Sequence, residues 1–81
     1  MGKLNETLKR ARAFSGLTLR DIEQLSDGEI SNAFISQIEN GHVQHPSPRS
    51  LRILARILKL NYLELMIYAG HLTIRDLKGR V

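Results

Sequence analysis

The sequence predicts an all-α fold: a compact five-helix domain with a short C-terminal tail. Three observations carry that expectation. Apolar residues recur at intervals of three and four, and no apolar–polar alternation runs longer than a few residues. Four of the periodic stretches start behind a Ser, Thr or Asn suited to capping a helix. The connections between them are short, and 81 residues with 42% hydrophobic side chains make one domain around one core.

Leu4, Leu8 and Ala11 mark the stripe of a first helix, which Gly16 closes. Thr18 with Asp21 forms a capping box in which Asp replaces the usual Glu, and opens a second helix over about 18–26 carrying Leu19, Ile22 and Leu25. Residues 26–28 stop it. Ser31 caps a third helix over about 32–40, which Gly41 ends. Ser47-Pro48 is a cap with proline at the first helical position, and Leu51, Leu54, Ala55 and Leu58 share one face of the helix that follows. Asn61 with Glu64 opens a fifth helix, ended by Gly70. A loose turn is expected over 73–78.

Several function classes are excluded. There is no cysteine, hence no disulfide and no thiolate metal site. The longest apolar run, 65–69, is too short to cross a membrane or to form a signal-peptide core, so a cytoplasmic protein is expected. No glycine-rich phosphate loop, nucleophile elbow or pair of catalytic carboxylates occurs, so neither an enzyme nor a cofactor is expected, and a domain this small leaves little room for a small-molecule pocket. His42 and His45 have a metal-like spacing, but Pro46 follows at once and no nearby carboxylate completes a ligand set.

The net charge of +4 permits a polyanionic partner, and its distribution says more. Residues 1–20 hold five bases and one acid. Residues 21–39 hold five acids and no base. Residues 40–59 hold Arg49, Arg52, Arg56 and Lys59 with no acid. Small domains also carry such blocks by chance. If nucleic acid binds, the grip comes from the flanks, and the middle reads with neutral groups.

The third helix has the matching character. Phe34, Ile35 and Ile38 fall on one side, to be buried. Ala33, Ser36, Gln37 and Asn40 fall on the opposite side at i, i+3, i+4 and i+7, with Asn32 at the helix start. That face is either a solvent face without charge or a surface for a DNA major groove. Small residues allow close approach there, and amides offer a donor and an acceptor to adenine.

A short helix, a turn and a second short helix form the helix-turn-helix order. Gly16-Leu17-Thr18-Leu19-Arg20-Asp21-Ile22, Ile30-Ser31-Asn32-Ala33-Phe34-Ile35-Ser36-Gln37-Ile38-Glu39-Asn40-Gly41, Pro46-Ser47-Pro48 and Leu51…Leu54-Ala55 resemble the phage repressor and Cro type of helix-turn-helix domain. Its wide bacterial branch is the xenobiotic-response-element (XRE) family of transcriptional regulators. The resemblance covers residues 4–70 and is most specific in the run Ser36-Gln37-Ile38-Glu39-Asn40-Gly41. Tyr62-Leu63-Glu64-Leu65-Met66…Ala69-Gly70 is similar to the last helix of one branch.

The resemblance implies a lambda-repressor-like fold, with residues 1–70 as the DNA-binding domain and 71–81 as a tail that supports a dimer. It places base contacts at Asn32, Ala33, Ser36 and Gln37, with Gln37 bidentate to adenine and Ala33 against a thymine methyl. Phosphate contacts are expected from Asn40, Arg49, the histidines His42 and His45 where the family often has Lys or Arg, and Arg20 in place of a glutamine that Leu19 replaces. Histidine contacts make binding depend on pH. Glu39 is implied to pair with Arg12, partly buried, rather than to read cytosine. Two departures stand out. The turn over 26–30 is longer than in the tightest members and carries Asp27 and Glu29. The recognition helix has no Lys or Arg, which removes arginine readout of guanine.

Helix five is apolar on every side. Either the tail covers it, or it meets a second copy through Met66, Ile67, Leu72 and Ile74. The expected function is a sequence-specific regulator of transcription, a repressor of bacterial or phage origin, bound as a homodimer to a palindromic site in double-stranded DNA. The alternative is an antitoxin or adaptor module with helix five as its docking surface.

Overall fold

A computed structural model describes residues 2–73 and 75. The expected turn over 73–78 lies largely outside the described residues, and Ile74 lies outside them. Five helices follow in order: α1 (Lys3–Ser15), α2 (Leu19–Leu25), α3 (Asn32–Glu39), α4 (Pro48–Leu58) and α5 (Tyr62–Tyr68). No strand occurs among the described residues, as the helical periodicity predicts.

The caps set where each helix begins. Thr18 Oγ1 accepts from the Asp21 N–H at 3.0 Å, and Asp21 Oδ2 accepts from the Thr18 N–H at 2.8 Å, a full capping box. Ser31 accepts from the Phe34 N–H at 3.0 Å, Ser47 from the Ser50 N–H at 3.1 Å, and Asn61 from the Glu64 N–H at 3.0 Å. Each cap satisfies an N–H that the first turn would otherwise leave unpaired.

Packing joins α1 to α3, α4 and α5, α2 to α3, and α4 to α5. Leu8, Ile22, Ile35, Ile38, Leu51, Leu54 and Leu65 bring all five helices to one centre and are at most 1% exposed. Ile30 is equally buried although it lies in the turn before α3, so that turn is anchored in the core. No described helix is long and apolar enough to cross a membrane.

The loop between α3 and α4 is tied to the end of α5. His45 Nδ1 donates to the Ala69 carbonyl at 2.6 Å, and His71 Nε2 donates to the Pro46 carbonyl at 2.7 Å. Gly70 follows the Ala69 carbonyl and lies beside the His45 ring. Its φ of +85° suits glycine, and a Cβ there would lie 3.4 Å from His45 Nδ1.

One helix end lacks the residue its geometry favours. Lys59 caps α4 at φ 58°, ψ 44°, in the left-handed region, while the Leu60 N–H returns to the Ala55 carbonyl at 2.9 Å. A side chain in that region is disfavoured. Lys59→Gly is expected to stabilise the fold by about 0.5–1 kcal/mol after the entropy of a free glycine is subtracted. Thermal unfolding should show a midpoint raised by roughly 2–8 °C; an unchanged or lowered midpoint would contradict the strain.

Candidate nucleic-acid interface

α3 is fixed at its C-terminal end by a charge pair. Arg12 on α1 donates Nε–H to Glu39 Oε2 at 2.7 Å and Nη2–H to Glu39 Oε1 at 2.9 Å, a bidentate fork. Its Nη1 donates to the Leu17 carbonyl at 3.0 Å, which fixes the start of the connection to α2. The side chains are 20% and 7% exposed. The hydrogen bond to Glu39 and the attraction of its charge hold Arg12 above its ordinary pKa against the opposing effect of burial, so it stays a cation.

The N-terminal end of α3 is fixed by the turn. Buried Ser26 accepts from the Ile30 N–H at 3.0 Å while its hydroxyl donates to the Glu23 carbonyl at 2.9 Å. Asp27 and Gly28 both take positive φ, 58° and 81°, and carry the chain round this serine. The extra length of the turn is therefore an ordered structure. It projects Glu29 outward, where its carboxylate pairs with Arg49 at the start of α4.

Between these two anchors α3 presents an uncharged face. Ala33, Gln37 and Asn40 are exposed and Ser36 is half-buried, while Ile35 and Ile38 face the core. The Gln37 amide has no hydrogen-bond partner among the described residues. An exposed amide on a rigid helix, flanked by small side chains, is suited to meet a base edge.

A profile of the helix-turn-helix family matches residues 8–65, which span α2, the turn and α3. The chain belongs to the helix-turn-helix family. An uncharacterised HTH-type transcriptional regulator, RghRB of Bacillus subtilis (strain 168), is 38% identical over 72 residues, covering 89% of this chain and 50% of that protein. This helix-turn-helix chain thus spans about half the length of that relative. No solved structure matches it.

The positions implied by the helix-turn-helix resemblance are not all equally free. Asn32 is half-buried, and its Nδ2 donates to Glu23 Oε1 on α2 at 3.1 Å. Asn40 turns its Nδ2 along the helix to Ser36 Oγ at 3.3 Å. Arg20 and His42 are exposed, and their side chains have no partner among the described residues. Arg49 is 77% exposed but engaged by Glu29. Arg52 lies over the Tyr62 ring, 4.8 Å from its centroid, a cation–π contact that draws it toward α5.

His45, an expected phosphate contact, is exposed and gives its Nδ1–H to the Ala69 carbonyl at 2.6 Å. That bond leaves Nε2 as the ring nitrogen that can face a phosphate, and Nε2 donates there only from a protonated ring. Of the expected dimer residues, Met66, Ile67 and Leu72 are half-buried, and Met66 packs against the core. Leu63, outside that set, is 46% exposed. No group of three or more metal-ligating side chains occurs among the described residues.

Sequence reasoning missed Glu23, Ser26 and Glu29 as organisers of this interface. The acid-only block at 21–39 beside the base-only block at 40–59 was the available signal for Glu29 and Arg49. Nothing in the spacing singled out Ser26. Glu39→Ala is expected to lower unfolding free energy by about 3 kcal/mol, because it leaves Arg12 charged and half-buried without its partner. Urea denaturation checks this; a loss below about 1 kcal/mol would place the pair among ordinary surface bridges.

Proposed function

We propose that the protein binds double-stranded DNA sequence-specifically and regulates transcription, with α3 in the major groove and α2 across the backbone. The observation that carries this is the uncharged outer face of α3, with the Gln37 amide free and both ends of the helix anchored. Membership of the helix-turn-helix family and similarity to RghRB, an HTH-type transcriptional regulator, support it.

Gln37 offers its carbonyl to adenine N6 and its amino group to N7, and Ala33 packs against a thymine methyl. Asn32 and Ser36 complete the base-reading set. Arg20, Asn40 and His42 contact phosphates, and Arg49 joins them by exchanging the Glu29 carboxylate for a phosphate oxygen, two acceptors of similar geometry. The exchange makes the net gain from Arg49 smaller than that of an unpaired arginine.

The regulator acts as a repressor, a two-fold dimer on a palindromic operator. The apolar surface of Leu63, with half-buried Met66, Ile67 and Leu72, supplies the contact between copies. Selection of bound sequences from a random duplex library tests the reading. A palindrome with half-site centres about 34 Å apart, or a multiple of that, is expected. Enrichment of a single asymmetric half-site would remove the dimer, and no enrichment would remove sequence-specific binding.

Two substitutions separate reading from grip. Gln37→Ala should relax preference at one base position, with a loss of about 1–3 kcal/mol on the preferred sequence. An unchanged preference matrix would take Gln37 out of the base-reading set. Arg49→Ala should weaken all sequences alike and reduce the slope of log affinity against log salt by up to about 0.9. A slope that stays put would show that Arg49 meets no phosphate.

A further inference from the structure

The carboxylate of Glu23 touches the first residue of α3 and nothing in the proposed contacts uses it. Glu23 Oε1 accepts from Asn32 Nδ2 at 3.1 Å, between half-buried side chains on two packed helices. The main chain of Glu23 is held as well. Its carbonyl accepts from Ser26 Oγ at 2.9 Å and from the Gly28 N–H at 2.9 Å. Glu23 is thus a fixed point from which the turn and the first side chain of α3 both hang.

The chemistry of the pair decides which way the Asn32 amide faces. An ionised carboxylate only accepts hydrogen bonds, so it takes the amino end of an amide and excludes the carbonyl end. Glu23 therefore holds Nδ2 against α2. Oδ1 has no partner among the described residues and is left as the free end of the amide. Nδ2 carries a second N–H that the Glu23 bond leaves available, so the amide can meet a base through Oδ1 and that N–H together.

We infer that Glu23 is a positioning residue for base recognition: by holding one N–H of the Asn32 amide, it fixes the orientation in which Oδ1 and the second N–H are offered to a base. The base that satisfies both is adenine, which donates from N6 to Oδ1 and accepts at N7. Cytosine meets only Oδ1, and guanine and thymine meet only the N–H. This rests on the proposal above that Asn32 meets a base edge. It goes further in naming the class of base and the residue that imposes it.

The test is selection from a random duplex library with four proteins: the natural sequence, Asn32→Ala, Glu23→Ala and Glu23→Gln. The natural sequence should show one position where adenine is preferred over the other three bases, and Asn32→Ala should abolish that preference. Glu23→Ala, which frees the amide to rotate, should reduce it roughly three- to ten-fold, the worth of one hydrogen bond, and leave the Gln37 position unchanged. Glu23→Gln keeps an acceptor within reach of Asn32 and should retain part of the preference.

If Asn32→Ala leaves every position unchanged, Asn32 meets no base, and the underlying contact fails together with the inference. If Asn32→Ala relaxes one position but Glu23→Ala relaxes none, the contact stands and the role of Glu23 is overturned. A preference for cytosine, guanine or thymine at the Asn32 position overturns the orientation of the amide. Equal relaxation at all positions in Glu23→Ala makes Glu23 a support of the fold only, and overturns the inference as well.

Discussion

The fork between Arg12 and Glu39 is the constraint on which the interface depends. It joins residues 27 apart in the chain and locks the C-terminal end of α3 to α1. Apolar contacts alone tolerate small rotations of one helix on another, because they are non-directional. Two parallel N–H···O bonds between planar groups do not, since their geometry specifies an angle as well as a distance. The third arginine bond, to Leu17, extends the same fixed point to the start of α2. One guanidinium therefore sets α1, α2 and α3 relative to each other, while Ser26 and Ile30 hold the opposite end of α3.

Several of the charges around α3 are engaged within the molecule. Arg12 answers Glu39, Arg49 answers Glu29, and Arg52 sits over Tyr62. The net value of +4 consequently overstates the unengaged positive charge near α3, where Arg20 is the exposed arginine with no partner among the described residues. For the proposed DNA complex this favours selectivity over grip, since binding without sequence preference draws nearly all of its energy from phosphate contacts.

Much of the fold was legible in the sequence, for local reasons. A cap bonds three residues along, and a helical stripe repeats every three or four, so both are written in neighbouring positions. Thr18, Ser31, Ser47 and Asn61 open helices where the spacing places them. The outward set on α3 was legible for the same reason. The pairing of Arg12 with Glu39 had no local trace and came only from the family resemblance. Contacts made by chain folding, Glu29 with Arg49, Glu23 with Asn32 and His45 with Ala69, depend on distances that periodicity does not encode. The end of α4 at Lys59 was hidden too, because a lysine in the left-handed region gives no stop signal of the kind a glycine gives.

The two histidine bonds have a mechanical meaning. His45 reaches from the loop to the end of α5, and His71 reaches from beyond α5 back to the loop, so the two segments are crossed and laced together. A displacement of His71 is not absorbed locally. It passes through Pro46 into the stretch that leaves α3. The end of α5 is thus coupled to the rear of the helix that carries Gln37.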